Sequence, residues 1–235
     1  MPKLVDNQLT TFRIHSRYPQ WLLWPLVFLF LCLVLYAMER YLHWWTLTEV
    51  LPEITEVDSF GVVHQSTDYT CVPAAMTTLL RQQGVDADQR KVADLLGTTI
   101  FGTYPWCIPP AGEAFGFTVR AERLTFRDLA SSPDPILIYN KFKGSLHVTY
   151  VPPGRLSDKL ASVIFADAPG PFLPVMDPVD GLVIMDHTGY ERYFGNDEPK
   201  DAYRFTRPDK PIATVDLDKF VLSGNVPGVM VGQNP

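Results

Sequence analysis

The sequence has little of what would mark several large classes of protein. Three cysteines in 235 residues, at 32, 71 and 107, are too few for a disulfide framework, and no Cys-x-x-Cys pair offers zinc a ligand set. No grouping of His, Asp and Glu has metal-ligand spacing either, so neither a metal nor another cofactor is expected. Basic charge is scarce. The 20 Lys and Arg against 26 Asp and Glu leave a net charge of -6 with no clustered basic face, and nucleic acid is not an expected partner. The chain has no Walker A loop, which excludes the P-loop type of nucleotide engine.

Charge of either sign is missing altogether from Trp21 to Met38. At about 1.5 Å of rise per residue this run reaches roughly 27 Å as a helix, close to the hydrocarbon thickness of a bilayer. Trp21 and Trp24 flank one end, and Tyr41, Trp44 and Trp45 the other, as in the aromatic belts of the two interfaces. A cleaved signal peptide fits less well, because no small-x-small site follows the run. Lys3, Arg13 and Arg17 precede the span and Arg40 alone follows closely, so the amino terminus is expected in the cytoplasm and the rest outside a bacterial-type cytoplasmic membrane. Pro25 is tolerated near the helix start, and Cys32 reads as a small side chain within the span.

What the rest of the chain has is a cysteine at the mouth of a helix. Gln65 to Gly84 offers Thr70 as N-cap, Pro73 in the first turn, good helix formers from Ala74 to Leu80 and Gly84 as a stop. Cys71 then lies where unpaired backbone N–H groups and the positive end of the helix dipole favour a thiolate. Gln65, six residues upstream, carries an amide able to donate to an oxyanion beside the sulfur.

This stretch resembles the peptidase C39 family, papain-like cysteine peptidases known as leader-cleaving domains of bacteriocin exporters. Those domains open with Gln and, after the same six-residue step, a Cys-Gly-Pro-Ala type of helix start; Val72 here takes the place of their usual Gly. The resemblance continues through a second helix, capped by Asp86 or Asp88 and ending at Gly97, and a helical turn near Pro110 to Phe115. Next come a strand at Gly116–Arg120, a turn capped by Thr125, and the compact apolar strand Pro135–Tyr139. His147 follows in Gly-Ser-Leu-His-Val-Thr-Tyr-Val151, the strand on which the family carries its catalytic histidine. Two acids end apolar runs, Asp167 and Asp177. The family register of Asp-Pro, Gly, short strand and aromatic helix favours Asp177, and leaves Asp167 in an inserted hairpin between 152 and 174. Strands at Tyr203–Thr206 and Ile212–Val215 complete the expectation.

The resemblance implies an α+β, papain-like fold of helices on an antiparallel sheet, preceded by one transmembrane helix. The expected organisation is a cytoplasmic segment 1–20, a span with its aromatic flank 21–45, a stalk 46–59, the peptidase-like domain 60–222 and a tail 223–235. The implied activity is hydrolysis of a peptide bond by Cys71, His147 and Asp177, with Gln65 as oxyanion donor and a peptide or protein as substrate. The bilayer, and other membrane subunits through the span, are the remaining expected partners. Val72 beside the nucleophile, and a Cys71–Cys107 disulfide in an oxidising compartment, would favour a different outcome: a catalytically silent domain that binds or assembles within a membrane complex. Acyl transfer by the same thiolate is a third reading that the residues do not separate from hydrolysis.

Overall fold

The structure is a computed structural model, in which residues 20–51, 56–142, 145–154, 170–195 and 198–214 are described. Asp167, and the tail from residue 215 onward, lie outside these. The chain divides into two units, Met1–Tyr41 and Leu42–Pro235.

The first unit holds most of helix α1 (Gln20–Trp45), whose Leu, Phe and Val side chains from Leu23 to Leu35 are exposed. The helical segment Leu23–Val50 contains an exposed apolar stretch of mean hydropathy 1.7 and is long and apolar enough to cross a membrane.

The second unit begins in the last turn of the same helix. His43 is buried there, with Nδ1 donating to the Thr98 carbonyl at 2.8 Å and Nε2 lying 3.1 Å from Asp94 Oδ1. A single π-helical turn follows at Thr46–Val50, its Thr46 buried, and Arg90 Nη2 donates to the Leu51 carbonyl at 2.8 Å. Residues 46–51, which composition places in a stalk, are thus packed on the domain.

Helix α2 (Cys71–Gln82) is buried from Cys71 to Leu80, so its polar residues must find partners inside. Thr77 and Thr78 turn their hydroxyls back to the carbonyls of Pro73 and Ala74, and Thr78 Oγ1 also accepts from Val63 N at 2.9 Å. The helix closes where Gly84 takes a left-handed φ of +71°: Val85 N donates to Leu80 O and Gly84 N to Arg81 O, the paired bonds of a Schellman ending. Asp88, rather than Asp86, caps α3 (Gln89–Leu95) by accepting from Lys91 N. Helix α4 (Ile108–Ala114) follows a short 3₁₀ turn, and Thr125 with Asp128 forms a reciprocal capping box on α5 (Phe126–Ala130). Asp186 caps α6 (His187–Phe194) through Gly189 N, and Gly195 ends it in the left-handed region.

The strands are β1 (Thr118–Leu124), β2 (Ile136–Phe142), β3 (Ser145–Val151), β4 (Leu173–Asp177), β5 (Gly181–Met185) and β6 (Lys200–Thr206). They form one antiparallel sheet in the order β1-β6-β2-β3-β4-β5. Both faces of β2 are covered, which is why it reads as a continuous apolar run rather than an alternating one. Leu137, Tyr139, Val148, Tyr150 and Met176 pack with α2 and its neighbours, while Ile136, Ile138, Val151 and Val175 pack with Phe126, Leu129, Tyr190 and Phe194 from α5 and α6. Gly112 on α4 allows the closest approach to the sheet, since a Cβ there would collide with Val119 and Phe205. The strand expected at Ile212–Val215 is absent over residues 212–214, and 215 lies outside the described residues.

Candidate active site

Cys71 is the first residue of α2 and only 5% exposed. Thr70 occupies the cap position, but its hydroxyl is engaged by the preceding turn. It accepts from Ser66 N and Thr67 N and donates to Thr67 O, and makes no cap bond to the helix. The turn before the cysteine is thereby fixed, and the Thr70 side chain leaves the amides of the first helical turn uncapped. Val72 lodges in the core, where it helps wall the cleft beside Cys71.

The sheet brings the histidine to this helix start. Strands β3 and β4 pair at Tyr150 and Met176, and the side chain of His147 reaches the end of β4, where Nε2 donates to Asp177 Oδ2 at 2.9 Å. The Cys71 side chain is a second hydrogen-bonding partner of the ring. His147 and Asp177 are 5% and 1% exposed. Burial opposes the imidazolium, but the hydrogen bonds and charges of Asp177 and Cys71 outweigh it and push His147 up from 6.5 to about 9. Burial likewise raises Asp177, and is outweighed by its bonds to His147, Tyr193 and Val179 N, so the carboxyl is held below its ordinary 3.8.

Asp177 is paired on both oxygens. Oδ2 accepts from His147 and from the Tyr193 hydroxyl of α6, and Oδ1 accepts from Val179 N at 2.6 Å and Asp180 N at 3.2 Å in the turn to β5. Burial and the Asp177 charge raise the Tyr193 phenol far above its usual range, so it stays a donor. The same turn receives Gln65, whose backbone N–H donates to the Pro178 carbonyl at 3.0 Å. Its side-chain carbonyl oxygen is buried without a partner. The structure thus brings Cys71, His147 and Asp177 into one hydrogen-bonded series and ties the Gln65 backbone to the residue after Asp177. No disulfide joins Cys71 to Cys107.

One cleft opens at the sulfur and a second adjoins it. One of about 270 Å³ is lined by Tyr69, Cys71, Val72, Phe101, Thr103 and Val148 among others, and one of about 470 Å³ lies along Ala121, Arg123, Ala202 and Tyr203. They meet at Tyr139 and Leu146, which line both. Together they offer an extended chain a path past the thiol. Among the described residues no cluster of three or more His, Cys, Asp or Glu side chains could hold a metal.

Sequence reasoning missed Tyr193 as a partner of Asp177, although its place on the aromatic helix three residues after Tyr190 was visible. It also missed Tyr139, a buried phenol with no partner for its hydroxyl, and the cleft residues Phe101 to Thr103, which no local pattern singles out.

Comparison with known proteins gives a family match and a set of distant likenesses. The peptidase C39 family profile matches residues 59–151. An uncharacterized protein of Methanothermobacter marburgensis is 31% identical over 103 residues, 42% of this chain and 70% of that one. Another from Methanothermobacter thermautotrophicus is 29% identical over 103 residues, 44% of this chain and 70% of that one. Among solved structures, the peptidase domain of Streptococcus ComA, a bi-functional ABC transporter involved in quorum sensing, shares 19% identity at a TM-score of 0.47, covering 61% of this chain and 96% of that domain. A double glycine motif protease from an AMS/PCAT transporter, solved with its leader peptide, shares 16% identity at 0.46, covering 66% and 100%. At these values neither structure lends a residue role to this chain.

Proposed function

The chain belongs to the peptidase C39 family, and on that footing we propose that it is a membrane-anchored cysteine peptidase whose catalytic residues are Cys71, His147 and Asp177. The observation that carries this reading is the hydrogen-bonded series from the Cys71 thiol through His147 to Asp177 Oδ2. In the proposed reaction the Cys71 sulfur attacks the scissile carbonyl carbon, and the carbonyl oxygen takes up the negative charge. The His147 imidazolium then gives its proton to the leaving amine, leaving a thioester on Cys71. Water, deprotonated by His147, attacks the thioester and releases the acid, and the sulfur and imidazolium are restored. Asp177 holds the ring in the orientation both steps need and favours its cation. The uncapped N–H of Cys71 and the side-chain amide of Gln65 are the oxyanion donors of this scheme.

The substrate is a peptide or protein segment laid through the two joined clefts. α1 anchors the enzyme, with the amino terminus in the cytoplasm and the domain outside; protease added to intact cells would digest the domain in that topology and spare it in the opposite one.

The activity is tested with the full chain in lipid nanodiscs and a mixed peptide library, with new termini read by mass spectrometry. Cleavage by the native chain, reduced about 10³-fold or more in Cys71→Ala, is the expected result. Equal cleavage by the two would refute the assignment of the nucleophile.

A further inference from the structure

From Leu95 to Gly112 the chain carries no charged side chain. Within that stretch Phe101, Tyr104 and Trp106 are 77%, 46% and 68% exposed, and the rings of Tyr104 and Trp106 stack at 4.5 Å between centroids. A single exposed aromatic is ordinary, but three in six residues, on a stretch with no charge of its own, form a surface that water does not favour, although Asp68 shares the cleft that Phe101 lines. Packing among the described residues leaves it open to solvent.

What lies beside this loop says what covers it. Its first residues are fastened by the Thr98 carbonyl to His43, one residue before the exposed Trp44 and two before Trp45, in the last turn of α1. His43 is buried and also faces Asp94, so the attachment is part of the folded domain. Trp and Tyr are the side chains that settle at a bilayer's headgroup level, their rings in the apolar zone and their N–H or O–H groups in the wet one. The loop therefore starts where the chain turns from a membrane-length apolar helix into the domain, and it has the composition of the interface there.

We propose that the aromatic loop, carrying Phe101, Tyr104 and Trp106, inserts into the lipid headgroup region as a second membrane contact. Phe101, Gly102 and Thr103 also line the cleft beside Cys71. Seating the loop in the interface therefore holds the mouth of the cleft at the bilayer surface, and the substrate segment is one presented there, such as the juxtamembrane stretch of a membrane-bound polypeptide. The inference rests on the membrane-anchored part of the proposed function.

The test uses the full chain in nanodiscs of phosphatidylcholine and phosphatidylglycerol, with or without bromine on the acyl chains close to the headgroups. The emission of Trp106 is the difference between the native chain and Trp106→Phe, a change at an exposed ring that keeps an aromatic on Tyr104. Loss of that difference in brominated bilayers, with protection from aqueous iodide, is the expected result. A difference that survives bromine and is quenched by iodide overturns the proposal. So does iodide access that is lost only on adding a peptide, which would make the loop a peptide-docking lip. Release of the native chain from vesicles by a carbonate wash would instead overturn the anchor, and with it both the reading and the inference.

Discussion

Strands β2 and β4 flank β3, the strand that carries His147, and they treat their polar groups in opposite ways. At the end of β4 both oxygens of Asp177 are occupied, by a ring nitrogen, a phenol and two backbone amides. On β2, Tyr139 and Asn140 are buried, and neither the Tyr139 hydroxyl nor either end of the Asn140 amide has a partner. Asn140 stands directly across from His147 in the strand register, yet no bond joins their side chains. A buried polar atom without a partner costs about 1–3 kcal/mol. The imidazole is therefore oriented from the β4 side, and the polar groups of β2 contribute nothing to that orientation in the free protein.

The largest effect should come from emptying the paired side. Asp177→Ala leaves a buried imidazolium and a buried phenol uncompensated, and should lower unfolding stability by about 3–5 kcal/mol. Denaturant unfolding of the domain in the full chain reads this directly, and a loss below about 1 kcal/mol would erase the contrast between the strands.

Asp177→Asn is milder, because a hydrogen bond to His147 can remain while the charge goes. His147 is raised in the folded state, so its contribution to stability is complete below 6.5 and fades as pH climbs through about 9. Asp177 is lowered, so its contribution is present above 3.8 and fades as pH falls through its folded value. The pair stabilises the fold between those limits, and cleavage should lose its alkaline limb near pH 9. In Asp177→Asn that limb should move to lower pH. An unmoved limb would mean that Asp177 is not what raises the imidazole.

The smallest effect belongs to β2. Asn140→Leu exchanges an unpaired amide for an apolar group of similar volume, and should leave stability unchanged or raise it by about 1 kcal/mol, with the pH profile of cleavage intact. A marked loss of stability would show that the amide is bonded after all, and would remove the asymmetry.

How much of this was legible beforehand depended on how local the signal was. Thr70, Pro73 and Gly84 delimit α2 because capping, a fixed φ and a left-handed ending are properties of a few adjacent residues. The alternative caps Asp86 and Asp88 resolved only through the bond from Lys91 N, which needs geometry that spacing leaves open. Thr70 was read for its position alone, and its hydroxyl turned out to serve the preceding turn. The candidate site owes its reading to chain order, since nothing in the residues around His147 announces its partner thirty positions on. Contacts between distant stretches stayed invisible for the same reason. Tyr193 with Asp177, Gln65 N with Pro178 O, and His43 with Thr98 all join segments whose local patterns carry no trace of one another. Residues 46–51 read as a stalk because their mixed composition does not reveal that Thr46 and Leu51 are buried.

The central claim is that Cys71 and His147 form a working nucleophile pair, and alkylation of the full chain in nanodiscs tests it most directly. Iodoacetamide is applied over a range of pH, the modified cysteine is identified by mass spectrometry, and His147→Ala serves as the comparison. The account predicts rapid labelling of Cys71 that slows markedly when His147 is removed. Labelling of Cys71 that is indifferent to His147, or a Cys71 found oxidised to Cys107, would contradict it.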